Sequence, residues 1–545
     1  MRTITTGFLT LSLLLVTGCG GSSSPAPATV TPPPPVNTDP TFTKDVFQAE
    51  STFKDRCAVP RTGINPATGN AFPDIAGSML YEKHWLRSWS NNTYLFFNEI
   101  DDTDPASIAD RLDYFEILKT EAITASGKPK DEFHFTADTA ERQQLISSGA
   151  SAGYGAKFAL ISASVPRDIR IAFTEPSSPA STAPASLVRG TVVLEIDGVD
   201  AINGGTQADV DVLNAGLFPA SEGEAHIFKV QDPGGTTRTF TMTSSVVTIA
   251  PVNAAKTIDI AGNKVGYLHF TTFGTSIAEA DVVAAMQTFS NDGITDLVLD
   301  LRYNGGGFLD IAAELGFMIA GPTQTTGRTF DNIVFNSKHP NINPVTGQNL
   351  APTPFYSTGQ NFSVANGTPL PSVNLNRVFV LSTSRTCSAS EAVINGLRGI
   401  DVEVLLIGST TCGKPFGFYP TDNCGVTYFT IQFQGENDKG FGQYADGFTP
   451  INAADQNGEL IAGCEIVDDF GHTLGDENEA QLAAALTYIQ TGACPVVTTA
   501  ATRPAPKVSQ VSNPTSLLND ERIRTRILME QTLLLDARDA KRGNK

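Results

Sequence analysis

Charge is scarce in this sequence. Asp, Glu, Lys and Arg make up 17% of 545 residues, against 41% hydrophobic. A chain so composed can build a sizeable core, which argues against bulk disorder. Basic residues are the scarcer kind, 37 against 57 acidic, for a net charge of -20. Phosphate binding needs clustered Lys and Arg, so a nucleic-acid partner is disfavoured. Long apolar runs are missing too. A spanning helix needs about 20 apolar residues, and the run at 8–17 (FLTLSLLLVT) is too short. Seven cysteines occur without a single CxxC spacing, which leaves zinc without its usual ligand pattern.

What is present begins with an export signature. Arg2 gives a short positive start, the apolar run follows, and Val16-Thr17-Gly18-Cys19 closes it. Small residues before a cysteine resemble a bacterial lipoprotein cleavage site, with residues 1–18 as signal peptide and Cys19 as the lipidated first residue. Gly20, where an inner-membrane protein would carry Asp, implies by the same resemblance an anchor in the outer membrane, facing the periplasm or the cell surface. The expected location is thus the bacterial cell envelope. Residues 19–44 are rich in Gly, Ser, Thr and Pro and read as a flexible tether. Six cysteines remain, an even number that suits disulfides in an exported chain. Six allow 15 pairings. Short loops favour Cys412 with Cys424 and Cys464 with Cys494, leaving Cys57 with Cys387.

At roughly 100–200 residues per domain, the length suggests about three domains. Residues 45–150 read as helical and irregular. Trp85 and Trp89, four apart, mark a buried helix face. Residues 151–250 turn to short strands, with LVRGTVVLEIDGVDA alternating into an Asp197-Gly198 turn and HIFKV and TRTFTM flanking Asp232-Pro233-Gly234-Gly235. YGAKFAL, EPSSPAS and RGTVVLEIDG resemble a bacterial PDZ domain, with Thr191 where an Asp is usual. Such domains bind extended peptide ends as an added strand. Residues 251–494 alternate strands (VGYLHF, DLVLDLR, RVFVLST, VEVLLIG) with helices (AEADVVAAMQTF, LDIAAELGFMIA, ASEAVINGLR), which predicts an α/β layer with a buried sheet. Residues 495–545 form a C-terminal tail. Its last part (SLLNDERIRTRILMEQTLLLDARDAKR) has helical spacing and many arginines, and either docks on the body or a partner or stays free.

Two segments carry chemistry. In Asp300-Leu301-Arg302-Tyr303-Asn304-Gly305-Gly306-Gly307 a buried strand runs through three glycines into a helix, so backbone N–H groups can approach a ligand closely. In Thr386-Cys387-Ser388-Ala389-Ser390-Glu391 a serine stands at a strand-to-helix junction, where helix amides can face a developing oxyanion. Such a serine needs a base. Lys414, in Gly408-Ser409-Thr410-Thr411-Cys412-Gly413-Lys414, follows a neighbouring strand, and a lysine held in an apolar pocket loses its charge readily enough to take the hydroxyl proton.

Together these segments resemble the carboxy-terminal processing peptidases, or tail-specific proteases. DLRYNGGG is similar to that family's DLR-x-N-x-GG, CSASEAVINGL to its S-A-S-E motif and GSTTCGK to its G-x-x-T-x-GK motif. The resemblance spans roughly residues 150–490. It implies a multidomain α+β protein: a helical N-terminal region, a PDZ-like β-rich domain and an α/β serine peptidase core of crotonase/ClpP-like type. It implies Ser388 as nucleophile, Lys414 as general base, and Ala389 N–H with Gly306 or Gly307 N–H as the oxyanion hole. Glu391 is a candidate for orienting groups near the pair or for capping the helix. No cofactor or metal is implied, and the partners would be unfolded or extended polypeptides. One position departs: many members hold the lysine with a Gln four residues on, and here that residue is Phe418. This keeps open an inactive protein that binds peptides or small hydrophobes on the same scaffold.

Other motifs are weaker. Gly408 to Lys414 fits GxxxxGK of a phosphate-binding loop, but Pro415 replaces the required Ser or Thr. His472, beside Asp468 and Asp469, offers part of a triad, yet no GxSxG surrounds Ser388 and a turn role fits better.

Overall fold

The computed structural model describes residues 39–66, 68–496, 516–517 and 533–534. Cys19, the signal peptide, most of the tether and most of the C-terminal tail lie outside them. The described residues from Pro40 onward form one compact unit. Among the described residues no helix is long and apolar enough to cross a membrane.

The elements that place the site follow in chain order. Helix α1 (Met79–Thr93) buries Trp85 and Trp89, whose rings stack 5.2 Å apart against Tyr428. The rest of 45–150 is short helices and irregular chain with a few short strands, among them Phe135–Asp138. A β-rich region follows with β1 (Ala156–Ser162), β2 (Asp168–Thr174), β3 (Val192–Ile196), helix α2 (Gln207–Leu217), β4 (Ala225–Gln231) and β5 (Thr237–Thr243). Its sheet runs β5-β4-β3-β2-β1, which leaves β1 as an edge strand. The hairpin at Asp232 forms where the sequence puts it, with Gly235 N–H donating to Asp232 O.

The core sheet starts with β6 (Val252–Ile260) and β7 (Asn263–Phe270), joined by a tight antiparallel turn. Helix α3 (Ile277–Asp292), β8 (Asp296–Asp300), β9 (Gly307–Phe308), α4 (Leu309–Ala320), β10 (Arg377–Ser382), α5 (Ala389–Gly399), β11 (Glu403–Gly408), β12 (Phe416–Gly417), β13 (Gly463–Glu465) and α6 (Ala480–Thr491) come next. The six strands run β6-β7-β8-β10-β11-β13, and every pair after the first is parallel. Both faces are covered, so the strands read as continuous apolar runs. In β8 all five residues are buried, and the period of two splits them. Leu297 and Leu299 join α3, α4 and α5 on one face, while Val298 joins Phe379, Leu405 and α6 on the other. The architecture is the expected multidomain α+β with an α/β core.

The disulfides need correcting. Cys464–Cys494 forms as expected, but Cys412 pairs with Cys387 and Cys424 pairs with Cys57. Sequence proximity misleads because strand order decides. β10 and β11 are adjacent parallel strands, so the turns leaving their C-terminal ends bring Cys387 and Cys412 to a Cα separation of 5.2 Å. Cys424 sits at the tip of the hairpin Thr421–Phe429, whose second strand pairs with Phe135–Asp138, and this carries it to Cys57 at 5.4 Å.

Candidate active site

The site forms at the C-terminal ends of β8, β10 and β11, where three turns interlock. The glycine turn after β8 is held by Asn304. Its Nδ2 donates to Phe270 O, its Oδ1 accepts from Gly306 N–H at 2.9 Å, and its carbonyl accepts from Cys387 N–H and Ser390 Oγ. Gly307 has φ +137°, and a Cβ there would meet Phe273 C at 2.1 Å, so only glycine fits this close backbone approach. Gly306 N–H is already committed to Asn304.

Ser388 caps α5 with φ +61° and ψ -112°. A non-glycine residue in this region stores roughly 1–3 kcal/mol of strain, sustained only where its surroundings over-determine it. Two neighbours do so here. The Cys387–Cys412 disulfide fixes the preceding residue, and Glu391 Oε2 accepts from Ser388 N–H at 2.9 Å. Ser388 Oγ is buried and has no hydrogen-bond partner among the described residues.

Glu391 both caps the helix and reaches across to the lysine loop. Oε2 also accepts from Lys414 N–H at 2.9 Å, and Oε1 accepts from Gly413 N–H at 2.8 Å and Thr411 Oγ1 at 2.5 Å. The backbone nitrogens of Ser388 and Lys414 therefore share one carboxylate oxygen. Burial pushes the Glu391 carboxyl above the usual range, opposed by these donors. Gly413, at φ +88°, lies too close to Ala445 O for any Cβ.

Lys414 is buried. Its Nζ lies over the rings of Phe418, 4.2 Å from the centroid, and Phe133, 4.5 Å. Burial drives its ammonium well below its ordinary value, against opposing contributions from Asp131 and Glu391. Asp131 is buried too and pushed upward by burial, while accepting from Tyr94 Oη at 2.8 Å and Phe133 N–H at 2.9 Å. Thus Phe418, where the resemblance leads one to expect Gln, is half of an aromatic slot for the lysine. The other half, Phe133 with Asp131 and Tyr94, comes from residues 45–150. No local signal in the sequence marks them. Thr411 stood in the G-x-x-T-x-GK motif and could have been read from it.

The remaining candidates separate. His472 is exposed, with Nδ1 2.6 Å from Asp469 Oδ2 in a turn, whereas Ser388 is buried. Cys387, Glu391 and Cys412 are the one group with metal-ligand proximity among the described residues, but the two sulfurs are bonded to each other and offer no thiolate.

A buried lysine whose charged form burial disfavours, joined through Glu391 to a strained, buried serine at a helix N-terminus, is an arrangement that can support acyl transfer. Residues 264–421 match the family profile of peptidase family S41. The chain carries a peptidase family S41 domain. It is 27% identical over 288 residues to the chloroplastic C-terminal processing peptidase of Tetradesmus obliquus, covering 49% of this chain and 53% of that one. It is 30% identical over 121 residues to the carboxy-terminal processing protease CtpB of Bacillus subtilis strain 168, covering 22% and 25%. The chain spans about half or less of the length of these curated relatives. A crystal structure from Bacteroides fragilis NCTC 9343, assigned to the S41 proteases, shares the fold with a TM-score of 0.54 at 23% identity, over 77% of this chain and 98% of that one.

Proposed function

We propose that this protein is a serine endopeptidase with a Ser388–Lys414 dyad, acting on unfolded or C-terminally exposed proteins of the bacterial cell envelope. The observation that carries the reading is the single Glu391 oxygen that accepts from both Ser388 N–H and Lys414 N–H, beside the Cys387–Cys412 staple. In this mechanism neutral Lys414 takes the Ser388 hydroxyl proton as Oγ attacks the scissile carbonyl carbon. The oxyanion develops between Ala389 N–H and Gly307 N–H. The C–N bond then breaks as Lys414 returns the proton to the leaving amine, and water, activated by the same lysine, hydrolyses the acyl-enzyme. The β-rich region would take extended peptide as an added strand, and Cys19 would anchor the chain by lipid.

Phe418 also supports this reading over an inactive binding protein. The resemblance led one to expect a polar holder for the lysine, and an aromatic slot does that work while keeping the amine dehydrated. The test is cleavage of an unfolded protein beside labelling by a serine-directed fluorophosphonate. Wild type should cut and be labelled at Ser388, and Ser388→Ala should lose at least about 10³-fold of its turnover. Labelling of a different serine with Ser388 untouched overturns the proposal.

A further inference from the structure

Two short pieces of the C-terminal tail are placed against the body, and both touch surfaces suited to an extended polypeptide. The first is Ser516-Leu517. Leu517 is completely buried in the core of the β-rich region, among residues that include Phe158 and Leu160 of β1 and Leu213 and Leu217 of α2. Its N–H donates to Ala163 O at 3.3 Å, just past the end of edge strand β1, and its carbonyl accepts from Asn214 Nδ2 of α2 at 3.3 Å. The second piece, β14 (Leu533–Leu534), is a strand rather than the helix its spacing predicted. It pairs in parallel with β9, Gly307 opposite Leu533 and Phe308 opposite Leu534. It also lies beside β12, which begins two residues after Lys414.

The tail strand therefore runs between the glycine turn that carries the oxyanion donor and the segment that carries the base. Phe273 already bridges to the other side of Gly307, so β9 offers one open edge, and the tail has it. A strand edge pairs with one partner at a time.

We propose that the C-terminal tail is the protein's own occupant of its polypeptide channel, seated in the β1/α2 groove through Leu517 and on the β9 edge through Leu533–Leu534, and that it competes with incoming polypeptide. This rests on the reading of the cleft as a polypeptide site. A tethered competitor acts at an effective concentration of the order of millimolar, so a free chain must outbid it or wait for its release.

The test uses the full chain carrying Ser388→Ala, so that binding is read without turnover. The probe is fluorescein-labelled, reduced and carboxymethylated α-lactalbumin, a permanently unfolded polypeptide. In the background of Leu517→Asp with Leu534→Pro, which charges the groove anchor and removes a strand N–H, the probe should bind at least tenfold more tightly. Amide exchange in residues 303–310 should speed up in the same variant without probe, and slow again on adding it. Unchanged affinity, including no measurable binding by either protein, overturns the proposal, as does unchanged exchange at 303–310. If affinity and exchange shift as expected while the Ser388 protein neither cuts nor labels, the peptidase reading fails and the tail assignment stands.

Discussion

Arg302 and Lys414 are both buried near the ends of core strands, and the molecule treats them in opposite ways. Arg302 is surrounded by acids: Nε and Nη2 donate to Asp300, and Nη1 donates to Asp468 at 2.9 Å and to Glu479 at 2.7 Å. Burial works against its charge, but these carboxylates win and raise it further. Asp300, which burial alone would push up, is held well below the usual range by Arg302. Arg189 from the β-rich region joins the cluster through Asp468 and Tyr303, so the charge network also fastens that region to the core. Lys414 lies instead between two aromatic faces, and its nearest acids act against a larger burial effect. An arginine cannot release its proton and so serves as a fixed joint, whereas a lysine can be tuned to neutrality.

The comparison is broken most directly by exchanging roles. Lys414→Arg should abolish Ser388 labelling by a fluorophosphonate by about 10³-fold or more, because the guanidinium stays protonated. Arg302→Met should instead leave Asp300 and Glu479 buried without their partner, costing roughly 3–5 kcal/mol in unfolding experiments. Its labelling rate per folded molecule should change less than tenfold. Lost labelling with intact stability would move Arg302 into the chemistry.

The next largest effect tests what joins the serine to the lysine. Glu391→Gln replaces one accepting oxygen by an NH₂ that faces N–H donors, so the turns should part. We expect about a 10²-fold drop in kcat with little change in KM, the pattern of a positioning residue. Equal losses of kcat and stability would make it merely structural. The Cys387→Ser/Cys412→Ser pair should cost less. Opening a loop with a sequence separation of 25 removes about 3–4 kcal/mol on chain-entropy grounds. Labelling should fall about tenfold through looser placement of Ser388, as checked by thermal melting and labelling kinetics.

The strand-to-helix junctions were legible because the period switches from 2 to 3.6 at glycine or serine, and Leu309–Ala320 matches its expected span to the residue. That Ser388, Lys414 and Glu391 come together was legible because local motifs carried them. Asp131 and Phe133 were not, since nothing local says that an irregular segment folds back over a lysine more than 280 positions on. Two of the three expected disulfides failed for a related reason. Loop length ranks the entropy of closure, but Cys387 meets Cys412 because β10 and β11 are sheet neighbours, a fact of strand order. The tail's strand at 533–534 was missed because two residues of backbone pairing leave no periodic trace.

The smallest effect is the most informative about the aromatic slot. Phe418→Gln restores the residue type expected from the resemblance and brings a polar group to Lys414 Nζ. A polar neighbour reduces the desolvation that depresses the ammonium, so its titration should move upward. In the proposed mechanism only the neutral amine takes the Ser388 proton. The rising limb of labelling rate against pH should therefore shift to higher pH, with a loss of rate confined to that limb and no loss once both proteins are deprotonated. Stability gives an independent sign. A buried lysine with a lowered titration penalises folding by nothing above its unfolded value of about 10.4, progressively more as pH falls toward the folded value, and by a constant amount below it. Phe418→Gln should shrink that penalty, flattening the rise of stability with pH, and Lys414→Met should remove it. A profile that moves to lower pH would mean that the two rings hold the ammonium rather than the amine, and Lys414 would then resemble Arg302 after all.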